Sequence, residues 1–133
     1  MDLMDLKPKS DLVEVMLLHP NTLETIFNDD KSEMTISIAA QHSREYKEAI
    51  YEQQDRRIKA MQSKGKTTTV SASDIEKDAI DLLAKITKSW DITYGGEKPK
   101  LTLSKAKEVY SEVFWLRNQV EEALLDSVDF MKA

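Results

Sequence analysis

The sequence predicts a mostly helical α+β fold, on three observations. Near the N-terminus, Val13, Val15 and Leu17, and then Met34, Ile36 and Ile38, recur at every second position, the period of half-buried strands. Further along, Ile75, Ala79, Leu82, Leu83, Ile86 and Trp90 recur at helical spacing behind Ser73 and Glu76, which are spaced as a capping box. Two more stripes follow: Ala106, Val109, Tyr110 and Val113, then Leu116, Val120, Ala123, Leu124, Val128 and Met131.

In chain order, the segments "LVEVMLL" and "MTISI" read as strands. "HPNT" and "NDDKSE" supply the Pro, Asn and Asp of turns, which leaves "LETIF" between them as a short third strand of a hairpin or meander. Residues from Ser43 to about Met61 favour helix. Tyr46, Ile50, Ile58 and Met61 form a stripe broken by Gln53, Gln54 and Arg57, and Glu52/Arg56 and Asp55/Lys59 stand at i,i+4. "SKGKTTTVSAS" has no apolar period and reads as a linker. The division is therefore 1–62, a β-meander plus helix; 63–73, a linker; and 74–133, a C-terminal helical unit, the two units being free to pack as one domain. Gly95-Gly96 and Pro99 mark a turn between short strands at 92–94 and 100–103, and Ser104 is placed to cap the next helix.

A chain of 133 residues is long enough for one real core. Its 41% hydrophobic and 32% charged content is that of a globular chain, since disordered ones combine fewer apolar residues with a larger imbalance of charge. With no cysteine there is neither a disulfide framework nor a thiolate metal site. The longest apolar run, Val15 to Leu18, is far below the ~20 residues of a membrane span, so no membrane partner is expected. A net charge of −5 disfavours general attraction to phosphate backbones and points to protein partners.

Catalytic chemistry finds no foothold. "GKT" at Gly65-Lys66-Thr67 resembles the end of a P-loop, but Ala60 stands where that loop needs Gly and a helix precedes it where a strand should. His19 and His42 are far apart, form no i,i+4 metal pair and suit turn or capping roles. Asp29-Asp30 lacks the spacing and the Gly of a calcium loop, and turn chemistry explains it. No catalytic residue, metal or cofactor is expected. The basic run Arg56, Arg57, Lys59, Lys64 and Lys66 is the one plausible nucleic-acid footprint, but it lacks interleaved aromatics and also suits a solvated helix end.

Two segments resemble the tail assembly chaperones of long-tailed, siphovirus-type bacteriophages. In "HPNTLETIFNDDKSEMTISIAAQHSREYKEAIYEQQDRR" a hairpin strand runs into a Ser-x-x-Tyr helix start, here Ser43 and Tyr46, and then a basic helix. In "KSWDITYGGEKPKLTLSKAKEVYSEVFWLRNQVEEALLDSVDFMKA" the pattern is Trp90, the Gly95-Gly96 turn, Ser104, Trp115-Leu116-Arg117 with Gln119-Val120, and Phe130. Together they cover about two-thirds of the chain. One departure is the hairpin turn, where "NDDKSE" stands in place of an expected Gly.

The resemblance implies a non-enzymatic protein of the host cytoplasm that coats the helix-rich tape measure protein, keeps it soluble until tail tube protein polymerises around it, and is absent from the mature virion. In such a family a frameshifted C-terminal extension can recruit the tube protein, and self-association is a further expectation. The candidate client-binding residues are Phe114, Trp115, Leu116, Val120 and Leu124 on the terminal amphipathic helix. The alternative reading is a small nucleic-acid-binding regulator that uses Arg56 to Lys66.

Overall fold

The computed structural model describes residues 2–3, 11–64 and 71–126. Its elements are β1 (Leu12–Met16), β2 (Thr35–Ala39), α1 (Arg44–Lys64), α2 (Ala72–Ile86), β3 (Thr87–Asp91), α3 (Leu103–Glu112) and α4 (Phe114–Leu125). They make a mixed α+β fold with more helix than strand. The three strands form one antiparallel sheet in the order β1-β2-β3.

The sheet follows from the alternation of its sequence. Val13 lies opposite Ile38 and Val15 opposite Ile36, so the buried positions of β1 and β2 fall on one face. Leu12, Glu14 and Met16 point the other way and are exposed. The third strand is Thr87–Asp91 rather than "LETIF". The latter forms only isolated bridges, Leu18 to Thr25 and Phe27 to Glu33, across two turns whose Leu23 and Lys31 take positive φ. Trp90 belongs to β3 opposite Ile36, because α2 ends at Ile86; a strand residue four places beyond Ile86 mimics helical spacing.

Several boundaries move for local reasons. The box that caps α2 is Ser71 with Asp74, two residues ahead of Ser73 and Glu76, and both of its reciprocal bonds form. Thr102, not Ser104, caps α3 by accepting from the Lys105 amide at 3.0 Å. Tyr94 and Glu97 bridge around Gly95-Gly96, both of positive φ, and no strand occupies 100–103. Ser43 accepts from the Tyr46 amide at 3.2 Å and so caps α1. The stripe of α1 is Tyr46, Ala49, Ile50, Gln53 and Arg57, whereas Ile58 and Met61 are exposed. Residues 65–70, which include most of the expected linker, and Val128, Phe130 and Met131 lie outside the described residues.

A single core draws on both sides of segment 63–73. Val13, Val15, Leu17, Ile36 and Ile38 from the sheet meet Leu83, Ile86, Val109, Tyr110, Leu116, Val120 and Leu124 from the helices, with Leu82 packed against its edge. The Tyr110 hydroxyl stays satisfied by a 2.7 Å bond with Thr87, which also donates to the Leu83 carbonyl. Burial pushes that phenol up to about 12, against the smaller opposing pull of the Thr87 bond.

Leu83 is 1% exposed, so Leu83→Ala is expected to cost about 2–5 kcal/mol in chemical denaturation. Lys31, at φ 70, occupies the left-handed position where the hairpin turn lacks its Gly. Lys31→Gly is expected to stabilise by about 0.5–1 kcal/mol, read as a raised thermal midpoint; a lowered midpoint would mean the turn gains nothing from Gly.

Candidate interaction site

An apolar cleft of about 360 Å³ opens where α4 meets the excursion between β1 and β2. Leu17, Ile26 and Met34 form one wall, Ile92 and Tyr94 a second, and Val113 with Trp115 a third. Of its polar lining residues, His19 and Thr93 are occupied by local structure. His19 Nδ1 accepts from the Asn21 and Thr22 amides at 3.2 and 3.3 Å, the turn-capping role its sequence setting suggests. Thr93 donates to Asn28 Oδ1 at 2.6 Å.

The excursion is held against α4 by one side chain. Gln119 Oε1 accepts from the Leu18 N–H at 2.9 Å while its Nε2 donates to the Leu18 carbonyl at 2.7 Å. This two-point clamp satisfies both backbone groups of a residue just past the end of β1. On the far side, buried Asn28 ties the second turn to the end of β3. Its Nδ2 donates to Ser32 and Asp91, and Lys98 Nζ reaches Asp30 at 2.5 Å and Asp91 at 3.0 Å. The Lys98 bond, then those from Ser32, hold the Asp30 carboxyl well below the usual carboxylate range. Asp30 thus serves turn chemistry. Trp90 Nε1 donates to the Pro99 carbonyl at 2.9 Å, which fixes the 95–99 turn over the sheet edge.

The five candidate residues of α4 separate into two groups. Val120 and Leu124, 0% and 6% exposed, belong to the core, a correction to their place in a client surface, while Leu116, 3% exposed, is a core residue that also lines the cleft. Phe114 is 63% exposed and Trp115 is half-buried in the wall of the cleft. The periodicity of α4 was legible, but the side of its N-terminal turn that stays outside was not. Tyr94, whose ring carries the Lys105 ammonium 5.2 Å above it, is a cleft residue that helical or strand patterning had no means of finding.

The basic run is drawn into the fold. Arg56 pairs with Asp81 at 2.7 Å and Arg57 with Asp78, both acids on α2. Lys59 is exposed; the side chain of Lys64 and all of Lys66 lie outside the described residues. Glu52 pairs with Lys85, so neither Glu52 nor Arg56 needs the other at i,i+4. Asp81 also takes Lys107 at 2.9 Å and Lys85 at 3.4 Å, joining α1, α2 and α3 at one carboxylate. His42, too, meets a carboxylate that sequence spacing concealed, Asp11 at 3.4 Å. Among the described residues, no group of His, Asp and Glu is arranged to hold a metal ion, and no helix is long and apolar enough to cross a membrane.

No family model, curated protein or solved structure matches the chain.

Burial pushes the Asp81 carboxyl up, but bonds from Lys107 and Arg56 outweigh it and hold the group at about 2, below its ordinary 3.8. Its folded form therefore titrates below its unfolded form, and the stabilisation is complete above about pH 4 and lost as pH falls towards 2. The effect amounts to at most about 2 kcal/mol before solvent screening reduces it. Urea midpoints measured at pH 5 and pH 3 are expected to differ less in Asp81→Asn than in the parent chain; an equal drop would remove Asp81 as the source.

Proposed function

We propose that this chain is a phage tail assembly chaperone that binds the tape measure protein through the cleft beside Trp115, keeps it soluble in the host cytoplasm and leaves before the virion matures. The observation that carries the reading is the cleft itself: an apolar trough walled by Trp115, Tyr94, Met34 and Ile26, with Phe114 exposed next to Trp115. A trough of that kind suits the apolar face of an amphipathic helix, recognised by a few anchor side chains rather than by chemistry. His19 and Thr93 at its edge are engaged in turns, which fits holding better than turnover.

Of the residues on which the resemblance rests, those of α4 support the same reading, because they help to build the cleft. Leu116 and Val120 anchor α4 in the core, Arg117 pairs with Glu76 on α2 at 3.0 Å, Gln119 clamps Leu18, and Trp115 is left as wall. Tube protein recruitment through a frameshifted extension and self-association belong to the same proposal. The acidic net charge would help a client-loaded complex to remain dissolved.

Phe114→Ser is expected to alter stability by no more than about 0.5 kcal/mol, as exposed positions do, yet to reduce the tape measure protein recovered in the supernatant after co-expression. Trp115→Ser is expected to abolish that recovery, at a stability cost below the ~3–5 kcal/mol of a fully buried aromatic. If both variants keep the client soluble while melting near the parent, the cleft is not the client surface.

A further inference from the structure

Helix α1 is held by different forces along its length. Its first turns are anchored by Ser43, which is buried and caps the helix, and by Ala49 in the core with Tyr46 packed beside it. Beyond Ile50 none of its described side chains is buried. What faces α2 there is polar: Gln53 Nε2 donates to the Asp78 carbonyl at 2.8 Å, Arg57 pairs with Asp78, Arg56 with Asp81 and Glu52 with Lys85. Tyr51, Ile58 and Met61, the large apolar residues of this stretch, point to solvent.

We propose that α1 from Gln53 onward is a salt-labile latch on α2, which releases and unwinds while the sheet and the core remain folded. Three features make release easy. Exposed ion pairs contribute little and weaken as salt rises, and no buried apolar contact replaces them here. Asp81 keeps Lys85 and Lys107 when Arg56 departs, so no buried carboxylate is stranded. A detached helix of about a dozen residues is marginal in water, so release means unwinding. Arg56 of the latch borders a pocket that Ile80, Asp78 and Asp81 of α2 also line. Opening therefore uncovers an apolar residue edged by carboxylates, a strip whose chemistry matches the basic residues that cover it.

Hydrogen exchange on the intact chain tests the latch, with the amides of β2 as internal reference. Raising sodium chloride from about 0.05 M to about 1 M is expected to quicken exchange over 53–62 roughly three- to tenfold, with 35–39 changed less than about twofold. Asp78→Asn at low salt is expected to reproduce that quickening. Because the chain has no cysteine, spin labels at Gln54→Cys and Lys88→Cys report the same motion, as a distance distribution that broadens with salt. Exchange that rises together in α1 and β2, or a label distance that salt leaves narrow and unmoved, would overturn the latch.

Discussion

Strand β2 takes a partner on each edge, and the rest of the fold depends on that constraint. Ile36 and Ile38 are completely buried, which requires both a covered face and neighbours on either side. β1 supplies one neighbour from nearby in sequence. The other, β3, comes from beyond α1 and α2, so closing the sheet commits the chain to returning across roughly 50 residues before its core exists. Once β3 is in place, α2 is fixed by continuity at Ile86–Thr87, and α3 and α4 cover the face that the alternating Val and Ile residues present.

Given that frame, the cleft arises from a mismatch that Gln119 resolves. Backbone bonds link Leu17, Ile26 and Met34 into one wall between β1 and β2, but the outer edge of that wall at Leu18 has no strand to pair with among the described residues. A single amide side chain replaces the missing ladder at Leu18, donating and accepting as a neighbouring strand would. Asn28 does the equivalent work on the other side, where a second full strand would have closed the opening.

What the sequence revealed follows the range of the interactions involved. β1 and β2 were legible because burial on one face writes itself as alternation, and α2 because its stripe and cap are local. β3 was not, since "TKSWD" has no clean alternation and its strand character comes from pairing with β2, about 50 residues away. The competing caps Ser71 and Ser73 both precede an acid by three residues, and nothing local separates them. The pairing of Arg56 and Arg57 was hidden for the same reason as β3: their acids lie 21 to 25 residues on. At the cleft, Trp115 was visible as an aromatic on an amphipathic helix, but its neighbours come from two distant segments, Ile26 and Met34 before α1 and Tyr94 after β3, which the sheet brings together.

The two faces of this molecule thus rest on different physics, and their responses to solution conditions should diverge. The cleft is apolar and held at α4 by the neutral amide of Gln119, a contact that salt hardly touches. The face where α1 lies on α2 is charged and held by pairs in which α1 supplies the more exposed side chain. Apolar association is favoured by salts that are excluded from protein surfaces, whereas ion pairs are screened by all of them. The condition that loosens the second contact therefore leaves the first in place.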